Sequence, residues 1–135
     1  PYPFRLLRYE GKSPEQIKAA LESKRIPGLS YRIVKTQSAT GAPLSGVYVS
    51  VTNWDRARPT ELSFHMMRLA VVWSSSNPFA ASKNPGLFNK HVGCTAWWDE
   101  INLRGAGARV DAFVDQWVEQ ARNFQQQAKR FWIYR

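Results

Sequence analysis

The sequence predicts an α+β fold: a four-stranded antiparallel meander covered by an N-terminal helix and a long C-terminal helix, in the order α-β-β-β-β-α. Three observations predict it. From Val110 the apolar residues Phe113, Val114, Trp117, Val118, Ala121, Phe124 and Ala128 recur at i, i+3, i+4 and i+7, which is one stripe of a helix. Val47, Val49 and Val51 alternate with Tyr48, Ser50 and Thr52, the period of a half-buried strand. Ser13-Pro14-Glu15-Gln16 is a helix start, with Ser13 and Gln16 placed to form a capping box and Pro14 at the first helical position.

The remaining elements fall between these. Residues 1–12 read as extended, because Pro1 and Pro3 disfavour a helix, and Phe4, Leu6 and Leu7 suit an edge strand. Ile17, Ala20 and Leu21 give the first helix its apolar face, and Pro27-Gly28 ends it. The first strand is placed at Tyr31 to Thr36, with Gln37 to Ser45 as a connection holding Gly41 and Pro43. Asn53 to Pro59 reads as a polar turn. A long third strand is expected over Glu61 to Trp73. Leu62, Phe64 and Met66 share one face and Met67, Leu69, Val71 and Trp73 share one, so a β-bulge is expected near Met66-Met67. Ser74 to Asn89, with two Asn-Pro pairs and Gly86, reads as a long loop. The fourth strand is placed at Lys90 to Trp98, and Asn102 to Gly107 as the hinge into the last helix. Trp117, at the centre of its stripe, is expected to face the sheet.

The 135 residues fit one domain, 1–135, large enough to fold without disulfides or metals. The formal charge is +9, which favours acidic partners, yet the basic residues are spread from Arg5 to Arg135 without a long run. Cys94 is the single cysteine, so an intrachain disulfide and multi-cysteine zinc sites are excluded. No stretch approaches the ~20 apolar residues of a membrane-spanning helix. The chain opens on Pro1 without an initiator Met, so a processed product is expected, consistent with a removed signal peptide.

Chemistry-bearing sets are sparse. His91 and Cys94 stand three apart on the expected strand and so point to opposite faces, which disfavours joint metal ligation. His65 stands alone. Cys94 lacks a recognisable base and carboxylate, and reads as a small buried apolar residue. Asp99-Glu100 reads as a solvated pair after a strand. Gly105-Ala106-Gly107 lacks the pattern of a phosphate loop, although Arg104 and Arg109 beside it could hold an anion at a helix start. No catalytic residue, metal site or cofactor is expected.

The stretches Val71-Val72-Trp73, Asn84-Pro85-Gly86, Thr95-Ala96-Trp97-Trp98 and Val110 to Trp117 resemble a group of small uncharacterised bacterial envelope domains. The resemblance covers roughly the second half of the chain. It implies an exported α+β domain, a periplasmic address and a non-enzymatic role, with no active residues to carry over. The expected function is therefore a binding or assembly module of the envelope that contacts another protein. Phe79 and Phe88 of the long loop are its candidate docking residues, because aromatic side chains dominate contact energies. The alternative is a cytoplasmic, basic nucleic-acid-binding protein. Arg32, Arg56, Arg58, Tyr48 and Trp97 would then share an exposed sheet face and stack on bases. The candidate binding residues are thus Phe79, Phe88, Trp97, Arg56, Arg58, Arg104 and Arg109.

Overall fold

The computed structural model describes residues 5–80 and 84–131. Pro1, Pro3 and Phe4 of the expected extended segment lie outside the described residues, as do residues 81–83 of the expected loop. The order is β1 (Leu6–Leu7), α1 (Pro14–Glu22), β2 (Leu29–Gln37), β3 (Pro43–Val51), α2 (Pro59–Trp73), α3 (Pro85–Val92), α4 (Thr95–Arg104) and α5 (Val110–Ala128), with a 3-10 turn at Gly105–Gly107. The class is α+β, but the expected four strands and two helices become three strands and five helices among the described residues.

The sheet is antiparallel with β3 in the centre, in the order β1-β3-β2. The hairpin register pairs Tyr31 with Val49 and Ile33 with Val47. Gln37 and Pro43, expected in the connection, are the last pair of the ladder. The turn closes through the Ser38 N–H to Ala42 C=O bond of 2.9 Å, with Gly41 at φ +79°. Helix α1 begins as the sequence predicts. Ser13 Oγ accepts the Gln16 N–H, and the Gln16 side chain accepts the Ser13 N–H.

Residues 61–73 are helical, and the expected bulge at Met66-Met67 does not exist. The cause is that α2 is apolar on two sides. Leu62, Met66, Leu69 and Trp73 pack with Ile17 and Leu21 of α1 and Val47 of β3. Phe64, Met67 and Val71 pack with α4 and α5. Each set has helical spacing, but the two interleaved sets imitate a strand that changes phase. The molecule is thus layered, with the sheet, then α1 and α2, then α4 and α5.

The expected fourth strand is a helix, a corner and a second helix. Asn84 caps α3, its side chain accepting the Leu87 N–H at 2.9 Å, and Pro85 takes the first position. Gly93 ends α3 in the left-handed conformation, φ +72°. Cys94 is the next N-cap, and α4 then buries Trp97 and Ile101, four residues apart.

Helix α5 runs as predicted but packs on α2, not on the sheet. Trp117 lies edge-on to Phe64, with ring centroids 4.6 Å apart, and is only half-buried. Beyond Val118 the stripe opens to solvent among the described residues, and Phe124 is 71% exposed.

Candidate functional site

A concavity of about 490 Å3 opens where three elements meet. The start of α2 gives Arg58 to Glu61, the α3–α4 corner gives Val92 to Cys94, and α5 gives Val114, Trp117, Val118 and Ala121. Its wall is mostly apolar. Glu61 is the one carboxylate on it and Arg58 the one cation, among the described residues.

Glu61 is buried. Its Oε2 lies 3.5 Å from Arg58 Nη1, and its Oε1 lies 4.0 Å from His65 Nε2 one turn further along α2. Burial pushes the Glu61 carboxyl above its ordinary pKa, and Arg58 opposes that. Asp111 and Asp115 of α5 push it further up. His65 is also buried. Burial pushes its imidazole below its ordinary value, helped by Lys24 and Arg68 and opposed by Asp111. An uncharged His65 makes no ion pair with Glu61, and its Nδ1 has no hydrogen-bond partner among the described residues. The result is a groove in which a carboxyl group is biased toward its protonated form, beside a half-exposed guanidinium.

The groove rim continues into the loop between β3 and α2. That loop is fastened to the start of β2. Thr52 N–H donates to Gly28 C=O at 2.8 Å, Ala57 N–H to Asn53 C=O at 3.0 Å, and Arg56 N–H to Asn53 Oδ1 at 3.1 Å. Gly28 has φ +72°, and a Cβ there would sit 2.5 Å from the Asn53 carbonyl oxygen. Such an approach is open only to glycine. On this anchored turn Trp54 is 75% exposed, with Arg56 and Arg58 close by in sequence.

The expected site residues scatter. Arg56 and Arg58 are in this loop. Arg32 and Tyr48 do share a sheet face, with the Arg32 guanidinium 4.6 Å from the ring centroid. Trp97 is not on that face: it is 0% exposed, in the centre of the α2–α4–α5 core. Phe79 and Phe88 lie edge-on to each other at 5.6 Å and pack against that same core. Phe88 also meets Trp98 at 4.9 Å. Arg104 and Arg109 converge on an anion, but it is internal. Glu100, expected in solvent, is buried. Its Oε1 accepts the Arg109 backbone N–H at 2.9 Å and Arg109 Nε at 3.1 Å, and Oε2 accepts Arg109 Nη2 at 3.2 Å. Arg104 Nε lies 3.3 Å from Oε1. The Arg109 hydrogen bonds hold the Glu100 carboxyl below its ordinary pKa against the effect of burial. The cluster staples the end of α4 to the start of α5.

The sequence alone does not single out Trp54 or Glu61, and it places Glu100 in solvent. A tryptophan inside an otherwise polar turn was the available signal for Trp54. Glu61 and His65 stand four apart, a helical spacing that a strand assignment conceals. No group of three or more potential metal ligands is present among the described residues. No described helix is long and apolar enough to cross a membrane.

Comparison with known proteins matches residues 1–134 to the family model described as exo-beta-N-acetylmuramidase NamZ, C-terminal. The fold is similar to the crystal structure of a DUF1343 family protein from Bacteroides fragilis NCTC 9343, with a TM-score of 0.73 and 20% sequence identity. That similarity covers 98% of this chain and 36% of the other, so the chain spans little more than a third of the protein it matches. No curated protein matches the chain. These findings correct two expectations. The relationship extends over the whole chain, not its second half alone. The non-enzymatic binding or assembly module of the envelope and the nucleic-acid-binding alternative both give way to a glycosidase-related family. The chain belongs to the family of exo-β-N-acetylmuramidase NamZ C-terminal domains.

Proposed function

We propose that residues 1–135 act as one domain of an exo-acting β-N-acetylmuramidase, with the groove between the start of α2 and α5 turned toward the glycan. The observation that carries this reading is the family match over residues 1–134. The groove's chemistry supports it. Glycoside hydrolysis of the usual kind takes two carboxyl groups flanking the scissile bond, one of them protonated. Glu61 is a carboxyl biased toward protonation, but no second one lines the groove among the described residues. On this reading the domain holds the sugar, and at least one reacting carboxyl comes from outside the groove. N-acetylmuramyl glycans belong to the bacterial cell wall, so the reading carries an exported address with it.

The test is hydrolysis of a chromogenic β-N-acetylmuramide by the complete gene product, with the matching β-N-acetylglucosaminide as control. Release from the muramide, with little from the control, is the expected result. Inactivity on both, or preference for the glucosaminide, contradicts the reading.

A further inference from the structure

We propose that the β3–α2 loop is the element that recognises the muramic acid ring, with Trp54 stacking on the sugar and Arg58, assisted by Arg56, pairing with its lactyl carboxylate. This inference rests on the muramidase reading for the identity of the sugar. The loop itself supplies the rest.

N-acetylmuramic acid differs from N-acetylglucosamine by one group, a lactic acid ether on O3. A site that tells them apart needs a cation placed beside a surface for the pyranose ring. Trp54 offers such a surface, because an indole face packs well against the apolar C–H face of a sugar. At 75% exposure it is among the most solvent-exposed large apolar side chains described. The cations are equally available. The Arg58 side chain is 46% exposed, and its one ionic contact among the described residues is the long 3.5 Å approach to Glu61. A guanidinium has five N–H donors, so that contact leaves most of them for a carboxylate. Arg56 makes no ion pair among the described residues, and the loop's own acid, Asp55, pairs with neither arginine.

The turn is built to hold this arrangement. The backbone bonds to Gly28 and within Asn53 to Ala57 fix it before any ligand arrives. A pre-formed loop loses little conformational freedom on binding, which favours affinity. Its last residues, Ala57 and Arg58, are already part of the groove wall that carries Glu61 and Trp117. The loop that carries Trp54 therefore runs directly into the groove wall.

The experiment is a titration of the chain with N-acetylmuramic acid and, separately, with N-acetylglucosamine, followed by 1H–15N NMR. N-acetylmuramic acid should shift the Trp54 indole N–H and the amides from Asn53 to Arg58. It should bind at least about tenfold more tightly than N-acetylglucosamine, the effect of a charge-assisted pair. Arg56→Gln with Arg58→Gln should erase that difference while leaving the remaining spectrum in place. Trp54→Ala should weaken both sugars. Loop signals that do not move, or that move equally for both sugars, overturn the proposal, even if the complete gene product hydrolyses the muramide. An intact loop response together with an inactive complete enzyme rejects the muramidase reading instead and leaves the loop's selectivity standing.

Discussion

Trp97→Ala lowers the stability of the chain by about 3–5 kcal/mol, the range for removing a buried aromatic side chain. Trp97 is the largest fully buried side chain among the described residues. It lies edge-on to Phe64 at 4.3 Å and to Phe113 at 5.3 Å, so it joins α4 to both α2 and α5. Truncation leaves a cavity at the meeting point of three helices, which cannot all close on it at once. For a chain of this size the melting temperature should fall by roughly 10–20 °C. Trp97→Phe is the instructive companion. It keeps an edge-on ring and removes an indole N–H that has no partner among the described residues. Its cost should stay below about 2 kcal/mol. An alanine variant that melts like the parent contradicts the buried placement. It would return Trp97 to the surface on which sequence reading expected it.

Gly28→Ala should be damaging for a different reason. An L-residue at φ +72° costs about 1–2 kcal/mol in backbone strain alone. The new Cβ would also stand 2.5 Å from Asn53 O and 2.7 Å from Ala57 N, both backbone atoms that cannot rotate away. The β3–α2 loop must then move, which strains or breaks the Thr52 N–H to Gly28 C=O bond. Gly93 is the control. It has the same φ, +72°, but a Cβ there meets nothing within 4 Å. Denaturant unfolding of Gly28→Ala and Gly93→Ala isolates the steric part. Gly28→Ala should lose clearly more, with a total above about 2 kcal/mol. Equal losses at the two sites would mean that the loop is not fastened at Gly28.

The same residues show what the sequence made legible. Signals that depend on neighbours in the chain came through. Ser13 and Gln16 form the capping box that their spacing predicts, Val47, Val49 and Val51 form a strand, and Val110 to Val118 form a helix. Signals that depend on what packs opposite did not. Helix α2 is enclosed on both sides, so its apolar residues lose the single stripe that marks a surface helix. The turn at Gly93 splits residues 90–98 between two helices, and an apolar run interrupted by one glycine looks like a strand. Glu100 reads as solvated beside Asp99 because its partner, Arg109, is nine residues away across the 3-10 turn. The groove is non-local in the same way. Glu61, Cys94 and Trp117 come from three separated segments, and nothing in their spacing announces that they meet.

The basic balance of the chain also takes a more specific meaning. Arg104 and Arg109 are spent on Glu100, an internal anion, and so say little about partners. Arg58 lines the groove and Arg56 is exposed two residues before it, the two cations assigned above to the carboxylate of an acidic sugar.

The central claim is that the α2–α5 groove and its rim meet an N-acetylmuramyl residue. The most direct measurement is a crystal structure of the complete gene product with N-acetylmuramic acid bound. The account predicts the sugar at the groove mouth, in contact with residues of the Trp54–Glu61 segment. A sugar held wholly elsewhere in the protein, with that segment and Trp117 facing only solvent, would contradict it.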